Sequence, residues 1–191
     1  GCELLHCPGY IAPWRTGLPT VVTIHDLTVF LKPELCRGSN RIYYRALLGH
    51  SVKNAAQIIV PSRIVKDQLL GLFSLDAERI NVIPFAASPT FKKVEDENLL
   101  AQVRRKHRLP DKFILFVSNH EPKKNIPGML QAFAEFRKKV KGYKLVLAGR
   151  KAWGTEEDDA LIARLGLGDE VIYPGHVPIA ELPAMYSLAD I

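Results

Sequence analysis

The chain has 191 residues, 47% of them hydrophobic, and carries 26 Lys and Arg against 20 Asp and Glu, a formal net charge of +6. That content is ample for a core in one domain or two small ones, and no apolar run approaches the length of a membrane span. Three cysteines (Cys2, Cys7 and Cys36) are an odd number without metal-ligand spacing, which points to reduced thiols rather than a disulfide scaffold or a zinc module.

In chain order, the first ninety residues read as short strands at 4–7 and 20–24, a helix at 40–55, a strand at Gln57–Val60, a helix at 63–73 capped by Ser62, and a strand at 80–84. Arg41 and Arg45 lie four apart on the first helix, beside Tyr44, Leu47 and Leu48. That pattern suits anionic lipid headgroups, and it equally suits a solvated helix face, the commoner case. The other basic residues are scattered and no aromatic platform is interleaved with them, so nucleic acid is not a partner. Residues 85–94 lose periodicity and hold Pro89 and the Lys92–Lys93 pair, and a domain boundary is placed there, between residues 90 and 91.

The second half is more regular. A charged helix at Glu97–His107 leads into the apolar strand Phe113–Val117, then a polar loop at 118–124 ending in Lys123 and Lys124. Asn125 caps the next helix and Pro127 fits its first turn, with Met129, Phe133, Phe136 and Val140 as its apolar stripe. A strand at 143–148 is stopped by Gly149. Gly154 or Thr155 then opens a helix with Glu156, Glu157, Asp158 and Asp159 in its first turn, Leu161, Ile162 and Leu165 inward, and Gly166 just past its end. A strand at 170–173, a turn at Gly175 and a helix at 178–189, with Leu182, Met185 and Ala189 inward, complete the pattern.

Three successive strand–helix units with short connections predict an α/β fold with a parallel sheet, half of a Rossmann-type domain. Ligands on such sheets bind beyond the carboxyl ends of the strands, where the loops at 118–124, 149–154 and 175–178 meet. Lys123 and Lys124 sit at a strand's carboxyl end and beside the positive end of a helix, a setting that favours phosphate. A solvated basic loop fits the same spacing. Gly1 is not an initiator methionine, and residues 188–191 stop where another parallel strand would begin, so the chain reads as an internal piece of a larger protein.

Taken in order, VVTIHDL (21–27), IIVPS (58–62), ERINVIP (78–84), ILFVSNHEPKKN (114–125), KLVLAGRKAWG (144–154), EVIYPGHV (170–177) and LPAMYSLADI (182–191) resemble the retaining, nucleotide-sugar-dependent glycosyltransferases called glycosyl transferases group one, or family four. The resemblance implies a GT-B fold of two Rossmann-like domains facing across a cleft. Residues 1–90 then supply the later part of the N-terminal, acceptor-side domain, and 91–191 the first part of the C-terminal, nucleotide-sugar-binding domain. It also implies that His25 faces the donor sugar, that Lys124 binds the donor diphosphate, that Ser118 and Asn119 lie beside that phosphate, and that the main chain of Val177 borders the nucleobase. Asn119 stands where many members have Arg or Thr, and Ser118 where many have Gly. Phe-Ala-Ala-Ser at 85–88 replaces the family's Asn-Gly-Val-Asp hinge.

The activity implied is transfer of a sugar from a nucleotide-diphosphate donor to a glycan or lipid-linked acceptor with retention of configuration. No metal or other cofactor takes part, and the setting is cytoplasmic or peripheral to the inner face of the membrane, in cell-envelope polysaccharide synthesis. The family's paired glutamates would follow Ile191 and its glycine-rich loop would precede Gly1, so the chain alone is expected to be inactive. Two other functions fit the same cradle: a non-catalytic nucleotide-binding module, and a phosphorylase or epimerase on the same fold.

Overall fold

A computed structural model describes residues 1–36, 38–152, 155 and 157–191, and only the backbone at Ser39 and Asn40. Gly154 and Glu156, expected at the start of a helix, lie outside the described residues. The chain divides into two compact units, Gly1–Ala86 and Ala87–Ile191.

Unit 1 is built on a sheet of four parallel strands in the order β1 (Leu5–Cys7), β2 (Thr20–Thr23), β3 (Gln57–Val60) and β4 (Ile80–Val82), with Val22 opposite Ile58 and Ile58 opposite Ile80. A single-turn helix α1 (Thr28–Leu31) precedes the long helix α2 (Gly38–Asn54), and α3 (Arg63–Leu72) follows β3. Val22, Ile58 and Val60 from the sheet, Leu48 and Val52 from α2, and Val65 and Leu69 from α3 form one buried cluster. Burying a side chain such as Leu69 contributes about 1.5–3 kcal/mol. Ser62 caps α3 as expected, its Oγ accepting from the Val65 N–H at 3.3 Å. The Arg79 guanidinium donates to the carbonyls of Val52, Lys53 and Ala55, satisfying orphan acceptors at the end of α2 with a charge that suits the helix dipole.

Unit 2 begins with α4 (Glu97–His107) and carries three parallel strands, β5 (Phe113–Val117), β6 (Lys144–Ala148) and β7 (Val171–Gly175), in that order. Helix α5 (Ile126–Lys139) joins β5 to β6, α6 (Asp158–Arg164) joins β6 to β7, and α7 (Leu182–Leu188) follows. Alternation along β6 explains the layering. Leu145 and Leu147 face Leu130, Phe133, Leu161 and Ile162 from α5 and α6, while Val146 and Ala148 face Val103 of α4 and Ala184 and Met185 of α7. On the outer edge of β5, the Asp190 N–H donates to Phe113 O at 3.1 Å and the Leu115 N–H to Ile191 O at 2.7 Å.

Some boundaries differ from expectation. The buried face of α5 is Ile126, Leu130, Phe133 and Ala134. Met129 and Phe136 flank it, and Val140 lies past the helix, 39% exposed. Helix α6 starts at Asp158 because the Thr155 hydroxyl donates to Ala152 O and the Asp158 N–H to Thr155 O, which makes a turn there instead of a cap. Helix α7 is shorter than 178–189, since residues 179–181 form a turn closed by the Glu181 N–H on Pro178 O. Strand β7 runs on to Gly175, whose φ is +77°, after a register shift opposite Val146–Ala148.

Candidate phosphate-binding site at the carboxyl end of the second sheet

The loop after β5 is held from below by the backbone. Ser118 N–H donates to Ala148 O at 2.9 Å, and Gly149 N–H to Gly175 O at 2.8 Å, tying the carboxyl ends of the three strands together. Gly149 has a φ of +143°, and a Cβ there would sit 1.7 Å from Ser118 O. Only glycine allows that approach, so the two loops meet because of this residue.

Pro122–Lys124 form one 3₁₀ turn, with the Lys124 N–H on Glu121 O, and Asn125 follows at φ +52°. The two adjacent lysines then part company. Lys123 lies 3.6 Å from the Glu121 carboxylate, whereas the exposed Lys124 ammonium has no hydrogen bond or ion pair among the described residues. The amino end of α5 offers an anion little by itself. Asn125 Oδ1 takes the Gly128 N–H at 3.3 Å and Pro127 has no N–H, which leaves the Ile126 N–H without a partner among the described residues. An incoming anion would meet the Lys124 ammonium first, assisted by the helix dipole.

The other expected residues fall as follows. Asn119 is exposed on the same loop. Ser118 is half-buried, and its hydroxyl donates to Asn119 O at 3.0 Å, so the side chain braces the loop. Val177 is buried, its side chain in the α4–α7 core, which leaves its main chain as the part able to border a ligand. His25 belongs to unit 1 and follows β2. Its Nε2 is 2.7 Å from Pro8 O, a carbonyl that can only accept, so Nε2 is the donor there. Tyr10 and Phe85 pack on the ring, each at 5.3 Å between centroids. Tyr10 is itself held by its hydroxyl on Asp26 Oδ2 at 3.0 Å.

One residue of the loop had no signal in the sequence. His120 is fully buried, and neither ring nitrogen has a partner among the described residues. Its backbone pairs with the loop after β6, donating to Arg150 O at 2.9 Å and accepting from the Ala152 N–H at 3.1 Å. The Tyr173 ring lies 5.6 Å away, its hydroxyl also without a partner among the described residues. Lys151 Nζ sits 4.6 Å over the Tyr173 ring and 2.7 Å from Asp159. Burial, then the Lys151 charge, pushes the His120 pKa down, and burial with Asp158 and Asp159 pushes Tyr173 up to about 12. His120 is therefore a buried plug between the loops after β5 and β6. A lone histidine between a strand and a proline has no periodicity to betray burial.

On α2, Arg41 donates to Pro33 O at 3.2 Å and the Arg45 guanidinium lies 5.0 Å from the Phe30 ring centroid. Both arginines thus have intramolecular partners. No helix among the described residues is long and apolar enough to cross a membrane.

Comparison with known proteins agrees with this architecture. The O-antigen chain mannosyltransferase B of Escherichia coli is 28% identical over 190 residues, covering 97% of this chain and 49% of that protein. Among solved structures, the Anabaena protein HepE, determined in complex with UDP and glucose, superposes with a TM-score of 0.70 at 20% identity, covering 91% of this chain and 45% of its own. WaaG, a glycosyltransferase involved in lipopolysaccharide biosynthesis, gives 0.73 at 15% identity, covering 100% of this chain and 52% of its own. The chain spans about half the length of the curated relatives it matches. Residues 1–89 match the model for Glycosyltransferase Family 4 and residues 101–191 that for Glycosyl transferases group 1. Each of the two parallel-sheet units is thus matched by one glycosyltransferase model, and the chain has the GT-B fold.

Proposed function

We propose that the protein carrying this chain transfers a hexose from a nucleotide-diphosphate sugar to a glycan or lipid-linked acceptor, with retention of anomeric configuration. The observation that carries this reading is Lys124, an ammonium without a partner among the described residues, at a strand's carboxyl end and ahead of a helix. Glycosyl transfer builds negative charge on the departing diphosphate as the sugar–oxygen bond breaks. A fixed cation there is worth more in the transition state than in the ground state, which is the requirement for raising turnover. In this account Lys124 neutralises the leaving group without a metal ion, Asn119 donates a hydrogen bond to the same phosphate, and the main chain at Ser118 and Val177 borders the nucleotide.

Retention follows if the departing diphosphate oxygen accepts the acceptor's proton on the face it leaves. The new bond then forms on that same face, and no protein nucleophile is needed. His25 contributes its other ring nitrogen, Nδ1, to a sugar hydroxyl. HepE binds UDP, and mannosyltransferase B acts on O-antigen chain, which supports a uridine or related nucleotide and a cell-envelope glycan here. The proposed setting is the cytoplasmic side, where nucleotide sugars are supplied, with peripheral contact at the membrane face.

A radiolabelled-donor assay with the full-length protein tests the reaction class. Label should pass to a glycan acceptor. Release of sugar phosphate when inorganic phosphate replaces the acceptor would instead identify a phosphorylase.

A further inference from the structure

Unit 1 holds a cavity of about 620 Å³ between the loop after β1 and the last turn of α2. It lies at the amino end of β2, where Thr20 is part of its wall, whereas His25 follows the other end of that strand. Four strand residues separate the two ends by roughly 13 Å. The cavity is therefore apart from the residue expected to meet the sugar.

The wall is built, not incidental. The loop is pinned to α2 by the Ala12 N–H on Ser51 Oγ at 2.8 Å, and Ser51 in turn donates to Leu47 O at 2.7 Å. Beyond that anchor Trp14 lies parallel to the His50 ring, at 3.9 Å between centroids and 7° between planes. Asn54 orients the imidazole, its Nδ2 donating to His50 O at 2.8 Å and approaching His50 Nδ1 at 3.2 Å. An amide N–H on Nδ1 makes that nitrogen the acceptor and puts the ring proton on Nε2. One indole face is thus occupied by a ring that is itself held, and Trp14 remains 66% exposed. The exposed indole is held in a fixed orientation on the cavity wall.

The surrounding chemistry selects the ligand. Arg15 carries the single formal charge among the lining residues, no carboxylate lines the cavity, and Thr16, Thr20 and Asn54 add hydroxyl and amide groups. A divalent cation would need acidic or carbonyl oxygens, and a polyanion would need more than one cation. A pyranose fits: its C–H face stacks on the open indole, and its hydroxyls exchange hydrogen bonds with amide, hydroxyl and guanidinium groups. The volume is in the range of ligand pockets, roughly 300–1,000 Å³.

We propose that this cavity is a second saccharide-binding site, for a neutral hexose chain, separate from the site of transfer. Holding a glycan there keeps its reactive end at high local concentration for repeated addition. Identifying that glycan with the acceptor rests on the proposed transferase function, but saccharide binding at Trp14 does not.

The test is titration of the full-length protein with maltotetraose and with α-mannotetraose, followed by tryptophan fluorescence and saturation-transfer NMR. Inorganic phosphate serves as the anion control, and circular dichroism checks the fold of each variant. Saturable binding of at least one oligosaccharide is expected, weakened about tenfold by Trp14→Ala and less by Trp14→Phe. Asn54→Ala should weaken it too, by freeing the His50 ring that supports the indole. Lys124→Ala should leave oligosaccharide binding unchanged, and Trp14→Ala should leave UDP binding unchanged. Failure of UDP to bind, with Trp14-dependent sugar binding intact, would overturn the transferase reading and leave this site standing. Absence of saturable binding by both oligosaccharides, equal affinity in Trp14→Ala, or displacement of the sugar by phosphate would overturn the site itself.

Discussion

Lys124→Ala is the perturbation that separates a specific phosphate ligand from a merely basic loop. In the folded protein the Lys124 ammonium has no partner among the described residues, so its removal leaves no buried carboxylate unpaired and should cost little stability. On the proposed function, what would be lost is one charge-assisted hydrogen bond to the donor phosphate, worth about 1.5–3 kcal/mol. That corresponds to a roughly 10- to 150-fold weaker dissociation constant for UDP. Lys123 is the internal control, one residue away but 3.6 Å from the Glu121 carboxylate. An exposed pair of that kind contributes about 0–1 kcal/mol, and its net field at the phosphate is small because the two charges oppose. Lys123→Ala should therefore weaken UDP by less than about threefold. Isothermal titration calorimetry at near-physiological salt measures both, and a repeat at higher salt separates them further, since screening removes diffuse attraction before it removes a direct contact. Equal losses for the two variants, both vanishing in salt, would refute the assignment of Lys124 as the ligand.

His25→Ala should lower turnover while leaving UDP affinity unchanged, by steady-state kinetics beside calorimetry, and an unchanged turnover number would reduce His25 to its packing on Tyr10 and Phe85. Gly149→Ala places a Cβ against Ser118 O and forces an unfavourable φ, so thermal denaturation should record a loss of at least about 1–3 kcal/mol together with weaker UDP binding. Because burial and then Lys151 lower the folded-state pKa of His120, the unfolded chain binds that proton more readily, and stability should fall as pH drops from about 6.5 towards the folded value. Melting temperatures at pH 7.5 and 5.5 should differ less in His120→Phe than in the parent, and an identical difference would place the titration elsewhere. Leu69→Ala, at a fully buried position in unit 1, should cost about 2–5 kcal/mol by denaturant unfolding.

The strands, their parallel order and the loops at their carboxyl ends were legible because apolar runs of four or five residues, each followed by a turn and an amphipathic segment, leave few topologies. Asn125 and Ser62 were legible as caps for a local reason: the side chain bonds to a backbone N–H three residues on. The stripe of α5 was misread because two stripes overlap. Met129, Phe133 and Phe136 share the helical spacing of Ile126, Leu130 and Phe133, and only the packing of α6 against α5 decides which lies deeper. The division of labour between Lys123 and Lys124 depends on where Glu121 points, which spacing cannot encode. His120 packs beside Tyr173 of β7 where the loop after β5 pairs with the loop after β6, an arrangement that no local pattern in either segment encodes.

The central claim is that sugar transfer takes place with the new bond formed on the face the diphosphate leaves. Proton NMR of the initial product, recorded with the full-length protein, a nucleotide sugar of defined anomeric configuration and a glycan acceptor, measures this directly through the anomeric coupling constant. The expected product has the anomeric configuration of the donor, and its rate of formation falls in Lys124→Ala. A product of opposite configuration would contradict the same-face mechanism, and its formation at an undiminished rate in Lys124→Ala would contradict the role given to the lysine.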